Sequence, residues 1–483
     1  MAKKKRLKLN GVIYDPQKEE VHISQLIRKH PSLEVLAPNQ KKRVERYANE
    51  YMGFLSGIRI PNDVTDEVIG MIEEHKFLNG KNFAVIGEDS SSFALVKFGT
   101  RPVKSGLRII YAHTDSPCLK LKVKPQKFEW DIDTRDHHLG VEISAFAYGG
   151  IHVHQWTGQD VEVCGYIIKN GRRKSISFPA HIDETSPHTD KRKEENIGFN
   201  DAHKEDESLN LISGHPSKKS LLKDLGFDGE EDFARSRLYA VKNVEPKSLR
   251  GYYITGYGHD DRVGVFAAVK ALLESKPVYT TLFIGFDKEE VGSRGVGGAK
   301  GPFFEDVINQ TLQKGMGKSL EDLTIGIISE IYRKSIAINA DVDVGSTDKE
   351  IITADSYNIG KLGYGFFVSA TDGYFEGDQQ SIKLIDKIMT ILKRKRVLIQ
   401  TVGCPVPSDD AEGLISMNEF IAERGIETIN CGIPVGSLHS SSEVMHVGDL
   451  YHAIKGYKAI IEDNRYYGPR RVNKKKSKGI IWL

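Results

Sequence analysis

Residues 280–293 carry the sequence TTLFIGFDKEEVGS, in which a run of mostly apolar residues is followed, after Asp287 and Lys288, by a pair of glutamates. The apolar part, residues 280–286, has the length and composition of a buried β-strand. Glu289 and Glu290 follow where that strand ends, and open α/β sheets bind their ligands at the carboxyl ends of the strands. Neighbouring side chains at such a turn point in different directions. One carboxylate can therefore hold a metal ion while the other accepts a proton from water. The alternative interpretation is a charged turn with two solvated glutamates.

Other candidate ligands lie beside further predicted elements. His113 comes directly after the apolar run 107–112, and Asp115 can fix the tautomer of its imidazole by binding the second ring nitrogen. Asp260 and Asp261 open a predicted helix over residues 263–273. A carboxylate at a helix start is either a cap or a well-fixed bridge between two cations. Asp260 is the better placed for bridging, although the sequence does not separate the two.

The remaining candidates come from the last third of the chain. Asp341, with Asp343 as a weaker rival, follows a third predicted strand that includes residues 325–328. His439 precedes a predicted closing helix from about residue 448 to residue 462. Taken singly, each of these residues is most simply an ordinary polar side chain. Together they form a mixed nitrogen and oxygen set, which suits zinc, cobalt or manganese better than a structural zinc site rich in cysteine.

Five short segments occur in an order that matches a known family. They are AHTDSPCL at 112–119, DDR at 260–262, DKEEVGS at 287–293, NAD at 339–341 and LHS at 438–440. These segments resemble the metal-site motifs of the aspartyl aminopeptidase and vacuolar aminopeptidase I family of di-zinc metalloaminopeptidases. The segment YGG at 148–150, with Trp156 and Asp160, resembles the second domain of that family.

The resemblance implies a role for each matching residue. His113 and Glu290 would each bind one metal ion, Asp260 would bridge the two ions, and Asp341 and His439 would complete the ligand sets. Glu289 would be the general base, and Asp115 would orient His113. In this family a histidine of the second domain reaches the active site of a neighbouring subunit. His181 is our candidate for it, and the alternative is an ordinary surface histidine.

Two segments depart from the family pattern. Asp261-Arg262 stands where the family usually has Asp-Asn, and residues 342–346 replace a histidine-rich stretch that helps to shape substrate recognition. The preferred N-terminal residue of a substrate therefore cannot be carried over from the resemblance.

Composition is typical of a large soluble enzyme. The chain has 483 residues, 39% of them hydrophobic and 28% charged, which predicts two or three domains. The net charge is only +2, so no global electrostatic attraction to nucleic acid is expected. Basic clusters at residues 3–6 and 474–476 are interpreted as solvated tails. No signal peptide or stretch of ~20 apolar residues occurs, so a membrane partner is not expected.

Four scattered cysteines, without a Cys-x-x-Cys pair, support neither a zinc ribbon nor a disulfide framework. This usage predicts a reducing, cytoplasmic location. Cys118 raises the alternative of a cysteine nucleophile, because it lies close in sequence to His113.

Strands and helices alternate before residue 120 and after residue 251, whereas short alternating strands dominate between. The predicted fold is α/β, a mixed sheet flanked by helices as in zinc peptidases, with an inserted β-rich second domain. We expect residues 1–120 and 251–483 to form the catalytic domain. Residues 121–250 are expected to form the inserted domain, which would pack subunits together and cover their sites.

The predicted function is a metal-dependent aminopeptidase that removes N-terminal amino acids from peptides. It would use two divalent metal ions per subunit, Zn²⁺ with Co²⁺ or Mn²⁺ as alternatives, and a water activated by both ions, with Glu289 as general base. Alternatives are a related di-metal amide hydrolase, such as a carboxypeptidase or deacylase, and a catalytically silent scaffold. The resemblance implies a homododecamer built from dimers that acts on peptides with a free N-terminus.

Overall fold

The computed structural model describes residues 8–9, 12–13, 31–123, 141–184, 188, 209–347, 357–369, 382–403 and 417–465. The basic clusters predicted as tails and Cys404 lie outside these residues. The helices within them are α1 (Pro31–Glu34), α2 (Pro38–Ser56), α3 (Pro61–Glu74), α4 (Lys218–Leu225), α5 (His259–Glu274), α6 (Phe303–Met316), α7 (Ile325–Tyr332), α8 (Ile382–Arg394), α9 (Met417–Ala422) and α10 (Val447–Ile461).

The strands fall into a short N-terminal pair, a main sheet, a barrel, a second sheet and another short pair. In the first half of the chain they are β1 (Lys8–Leu9), β2 (Val12–Ile13), β3 (Phe83–Ile86), β4 (Phe93–Lys97), β5 (Leu107–His113), β6 (Cys118–Leu121), β7 (Glu142–Tyr148), β8 (Gln159–Lys169), β9 (Arg172–Ile182), β10 (Leu209–Ile212) and β11 (Ser236–Val241). In the second half they are β12 (Lys247–Leu249), β13 (Tyr253–Gly256), β14 (Thr280–Phe286), β15 (Ile336–Asn339), β16 (Asp343–Ser346), β17 (Gly360–Lys361), β18 (Phe366–Ser369), β19 (Ile399–Val402), β20 (Glu427–Asn430), β21 (Pro434–Gly436) and β22 (Glu443–His446).

The main sheet has the strand order β20-β15-β5-β14-β4-β3. Its first four strands run parallel, β4 is antiparallel to β14, and β3 is antiparallel to β4. The prediction of a mixed sheet is therefore confirmed. Phe286 of β14 pairs with His113 of β5, so the two strands end side by side at one edge of the sheet.

Helices cover both faces of this sheet. Along β5, Ile110 and Ala112 point into a core that also contains buried residues of α2, α3, α5, α8 and α10. Leu107, Ile109 and Tyr111 point to the opposite face and pack with residues of α6, α7 and α9. A strand with both faces covered is apolar at most positions rather than at alternate ones. This burial explains why the nearly continuous apolar runs at 107–112 and 280–286 could be predicted as strands.

Helix α5 lies inside the protein rather than on its surface. Every residue from His259 to Leu272 is buried, and the helix shares the core beneath the sheet with α2 and α10. Gly264 has no side chain there because an added Cβ would meet the Ala340 carbonyl oxygen at 2.4 Å. In the part of the chain that the structure describes, no helix has the length and apolar character required to cross a membrane.

Between the two parts of the main sheet, the chain forms a closed six-stranded barrel in the order β10-β7-β6-β11-β8-β9. Strands β8 and β9 pair along their whole length, from Lys169–Arg172 at the turn to Gln159–Ile182 at the open end. The barrel has its own hydrophobic core, in which Trp156 is 1% exposed. The short alternating runs of sequence in this region thus belong to one barrel.

One predicted strand is wrong. Residues 325–328 were expected to belong to a strand, but they form the first turns of α7, and the strand before Asp341 is β15. The Thr324 side chain accepts a hydrogen bond from the Ile327 amide and so caps the helix. Ile325 is 85% exposed, whereas Ile331 and Tyr332 are buried. Four apolar residues are too few for periodicity to distinguish a helix from a strand.

His452 provides a pH-dependent contact between α10 and two other segments. The Leu398 amide donates to its Nδ1, and its Nε2 lies 3.1 Å from the Ser32 carbonyl oxygen, so both ring nitrogens are bonded when the imidazole is neutral. Burial, followed by the nearby Lys455 charge, lowers the pKa of His452 to about 4. Below the ordinary pKa of histidine, His452 therefore binds a proton in the unfolded chain but not in the folded protein.

We predict that acidification from pH 7 to pH 4 removes about 3 kcal/mol of stability through His452, because the unfolded state binds the proton first. The contribution is fully present above the unfolded pKa and is lost as the pH falls towards the folded value. Urea unfolding of wild type and His452→Gln across this range measures the effect. The variant should show a shallower decline, and equal declines in the two proteins would contradict the assignment.

Candidate metal centre

The candidate site lies at the edge of the main sheet where three parallel strands end. His113 is the last residue of β5, Glu289 and Glu290 follow β14, and Asp341 follows β15. Asp260 reaches the same place from the start of α5, and His439 reaches it from the connection between β21 and β22. The residues predicted from separate motifs therefore come together at one point, as expected at the carboxyl ends of strands.

Asp260 lies between two histidines. Its Oδ1 is 2.9 Å from His113 Nε2, and its Oδ2 is 3.0 Å from His439 Nε2. Asp341 Oδ1 lies 3.4 Å from His113 Nε2, and Glu290 Oε2 lies 3.7 Å from His439 Nε2. Ligand atoms ~2.1 Å from a tetrahedral ion are themselves roughly 3.4 Å apart, so the separations to Asp341 and Glu290 are of the size found around a bound metal ion.

Both histidines are oriented through their other ring nitrogen by backbone carbonyl groups. His113 Nδ1 lies 3.0 Å from the carbonyl oxygen of Asp115, and His439 Nδ1 lies 2.8 Å from that of Gly150. A proton on Nδ1 leaves the lone pair of Nε2 directed at the centre. The Asp115 carboxylate is farther from His113 Nδ1, at 3.5 Å, so the expected contact is made mainly by the backbone of that residue.

The carboxylate of Asp115 instead holds the turn that carries the two glutamates. Its Oδ1 accepts a hydrogen bond from the Glu289 amide and its Oδ2 one from the Glu290 amide, at 3.1 and 3.2 Å. The Tyr148 hydroxyl donates to Oδ2 at 3.0 Å. Lys288 adopts a left-handed backbone conformation with φ 66°, which turns the chain so that these amides face Asp115. Asp115 thus positions the turn as well as the histidine.

The barrel contributes directly to the centre through three consecutive residues. Tyr148 bonds Asp115, and the carbonyl of Gly150 binds His439. Between them, Gly149 has φ +78°, and an added Cβ would lie 3.2 Å from the Glu290 side chain. This close approach favours glycine at the position. The barrel and the sheet therefore meet at the candidate metal ligands.

The candidate site has an electrostatic environment that attracts cations. Burial raises the pKa of Glu289 to about 8, and it raises that of Glu290 well above its ordinary value. Burial opposes ionisation of Asp260, but hydrogen bonds from the two histidines outweigh it and lower its pKa. Burial likewise opposes protonation of His439, yet Glu290 and Asp260 raise its pKa to about 11. Negative charge is in excess and requires protons or metal ions to balance it.

The donor set fits a divalent metal. Within the described residues, the buried Oε1 of Glu290 has no hydrogen-bond donor. His113, Asp260 and Glu290 offer ligand atoms that all lie within 4.8 Å of one another, as do His113, Asp261 and Asp341. Buried carboxylates without donors are costly unless they are paired or bind a cation. Neutral imidazole and carboxylate ligands are those of zinc and similar metals.

The alternatives that the sequence left open, Asp260 or Asp261 and Asp341 or Asp343, have different surroundings in the structure, although Asp261 also belongs to one of the two groups of potential ligands. Asp260 faces both histidines, whereas Asp261 Oδ2 accepts a hydrogen bond from the His113 amide at 3.2 Å. Neither caps α5, whose N-cap is Gly258. Asp341 lies against His113, but Asp343 Oδ1 accepts a hydrogen bond from the Val344 amide at the start of β16.

His181 lies elsewhere. It is on β9 of the barrel, its side chain is 43% exposed, and its Nδ1 is 2.8 Å from Asp160 Oδ1. It belongs to neither group of potential metal ligands found among the described residues. Within one subunit this histidine is thus not one of the potential ligands.

Cys118 is also not placed as a nucleophile. It is buried, and burial raises the pKa of its thiol far above the ordinary value, which disfavours the thiolate.

Sequence reasoning missed Glu443 and the carbonyl of Gly150. Glu443 is 1% exposed and accepts hydrogen bonds from the amides of Asp260 and His439. Its segment, residues 440–443, reads SSSE and resembles a solvated loop, so no local pattern indicated burial. Every residue has a backbone carbonyl group, so the sequence does not indicate which carbonyl binds a histidine. Only the folded structure reveals the role of the Gly150 carbonyl.

The sequence of this chain is similar to those of known proteins over most of its length. Residues 69–460 match the family model of the aminopeptidase I zinc metalloproteases, M18. A probable M18 family aminopeptidase 1 of Borrelia garinii is 26% identical over 466 residues, which cover 89% of this chain and 98% of the relative. The corresponding Thermotoga maritima protein is 26% identical over 460 residues, covering 88% and 97%.

Solved structures share the fold. The crystal structure of an M18 family aminopeptidase from Thermotoga maritima is similar with a TM-score of 0.76 and 24% identity, over 87% of this chain and 97% of that one. The S. cerevisiae mApe1 dodecamer is similar with a TM-score of 0.65 and 16% identity, over 86% and 96%. The family match spans more than half of the chain, so this protein belongs to the M18 family of zinc metalloproteases and is an aminopeptidase that hydrolyses peptide bonds.

Proposed function

We propose that this enzyme removes N-terminal amino acids from peptides with two divalent cations and with Glu289 as the general base. The observation that carries the proposal is the position of Asp260, with one carboxylate oxygen on each of two histidines. His113 and Asp341 would complete one ligand set, and Glu290 and His439 the other. Two cations bound here would polarise the scissile carbonyl and lower the pKa of the attacking water.

Glu289 is suited to move protons because of where the turn holds it. Its amide is bonded to Asp115, and it belongs to neither group of potential ligands among the described residues, so its carboxylate remains available to accept a proton. The Glu289 carboxylate would take a proton from the attacking water and pass it to the leaving amine.

The centre also offers partners for a free N-terminus. The α-amino group of a peptide would bind one of the cations or a nearby carboxylate. Binding of this group next to the first peptide bond would limit cleavage to one residue. A carboxypeptidase or deacylase would not require the free amine.

Assembly and the role of the barrel form the second part of the proposal. We propose that the barrel is an inserted domain, approximately residues 121–250, which joins subunits into a homododecamer built from dimers. The mApe1 relative is a dodecamer, and the barrel of this chain presents an exposed pair, His181 and Asp160. Asp160 at 2.8 Å from Nδ1 would leave Nε2 of His181 free to reach the site of a neighbour.

Separate replacements of Glu289 and Glu290 should distinguish a loss of catalysis from a loss of metal binding. Glu289→Gln is expected to retain both zinc ions and lose roughly 10²–10⁴-fold in kcat, because the proton acceptor is gone. Glu290→Ala is expected to lose the cation bound with His439. Zinc content by elemental analysis, together with peptide turnover, measures both. Near-normal turnover of Glu289→Gln would remove the general-base role.

Blocking the substrate tests the reaction class. We predict release of amino acids from unblocked peptides and none from the same peptides after N-acetylation, with zinc, cobalt or manganese supplied. Turnover of acetylated substrates alone would instead identify a deacylase. Metal binding without turnover of any peptide would favour a scaffold.

His181→Phe is expected to reduce turnover strongly and leave the zinc content unchanged, because the residue lies away from the ligands. The exposed His75 at the end of α3 provides a control, and His75→Phe should behave as wild type. Co-expression of His181→Phe with Glu289→Gln subunits tests action in trans. Mixed assemblies should recover activity that neither variant has alone, since some sites would receive an intact pair. A failure to recover would contradict the trans role.

A further inference from the structure

Glu443 joins two parts of the centre that come from distant positions in the chain. It is the first residue of β22 and is 1% exposed. Its Oε2 accepts a hydrogen bond from the Asp260 amide at 3.2 Å, and its Oε1 accepts one from the His439 amide at 3.0 Å. Both donors belong to residues whose side chains meet at 3.0 Å. One carboxylate therefore holds the backbones of a metal bridge and a metal-binding histidine.

The backbone of Glu443 is held in place by strand pairing. In the antiparallel pair of β13 and β22, Glu443 lies opposite Gly256, and the chain passes from β13 almost directly into Asp260. The backbone of Glu443 is thus tied by the sheet to the segment that its side chain also binds. His439, by contrast, lies in a loop with a left-handed backbone, φ 60°, and depends on such contacts for its position.

We propose that Glu443 is a positioning residue that sets the spacing between Asp260 and His439, and with it the affinity of the cation bound by His439 and Glu290. This inference rests on the two-cation function proposed above. Glu443 contacts the amides of the ligands rather than the cation. Partners behind the ligands of a metal typically change its affinity by 10- to 100-fold when they are replaced.

The geometry requires a carboxylate and not only a polar group of that size. Both oxygens of Glu443 accept hydrogen bonds from backbone amides, and a carboxyl group offers an acceptor on each of its oxygens. A glutamine would place an NH₂ group against one of the two amide donors. Glu443→Gln therefore keeps the volume of the side chain but breaks at least one of the two contacts.

The chain contains a matched control. Asp449, near the start of α10, is 0% exposed and also bridges two backbone amides, those of Gly363 and Gly365, at 2.7 Å each. Its contacts lie away from the candidate ligands. Asp449→Asn thus repeats the same chemical change, a buried carboxylate to an amide across two N–H donors, without touching the centre.

The test is a titration of the full-length protein with zinc against a competing chelator, together with the absorption spectrum of the cobalt-loaded protein. Wild type should bind two cations per subunit. Glu443→Gln should bind the second cation 10- to 100-fold more weakly and show an altered cobalt spectrum, whereas Asp449→Asn should match wild type in both. If Glu443→Gln does not fold, Glu443→Asp retains both acceptors one methylene further back, and the same weakening is expected.

The outcomes separate the inference from the function on which it rests. Unchanged zinc affinity and an unchanged cobalt spectrum in the Glu443 variant would overturn the positioning role. Equal weakening in the Asp449 variant would overturn it as well, because the effect would then be general destabilisation. Fewer than two cations in wild type would instead overturn the two-cation proposal itself.

Discussion

The placement of Asp260 between two histidines is the contact on which the centre depends. A carboxylate without exposure to water must be paired, and here each oxygen faces one imidazole nitrogen. Potential ligands from separate parts of the chain are thereby brought together around one carboxylate. The main sheet makes this possible because its parallel strands β5, β14 and β15 end at the same edge. A cation on each side of Asp260 would relieve the charge excess that burial otherwise makes unfavourable.

Around this contact, backbone groups hold nearly every functional side chain in place. The carboxylate of Asp115 binds the amides of Glu289 and Glu290, and that of Glu443 binds the amides of Asp260 and His439. Carbonyl groups orient both imidazoles. Reacting groups held by rigid elements lose little entropy when substrate binds. The barrel takes part in this scaffold through Tyr148 and Gly150, so the sheet alone does not build the site.

The sequence predicted correctly those strands whose burial leaves a clear pattern in the local sequence. The strand over residues 280–286 agrees with β14, because burial on both faces favours apolar residues at most positions. The strand assigned to residues 325–328 was wrong because a capped helix with one exposed face can contain the same short apolar run. Resemblance and position together predicted candidate ligands that the fold brings close together. They could not decide between Asp260 and Asp261, whose neighbouring side chains turn towards different partners only in the folded protein.

The sequence by itself determined the type of fold and the kinds of ligand, since strand periodicity and the residues at strand ends are properties of short segments. Tertiary structure alone decided the distances. It brought His439 to Asp260, left His181 on the barrel, and placed the buried Glu443 against the segments of both candidate ligands. The physical reason is that every residue has the same backbone carbonyl and nearly every residue the same amide, so the sequence does not show which of these groups form hydrogen bonds. Contacts between distant segments become visible only when the strands and helices have packed.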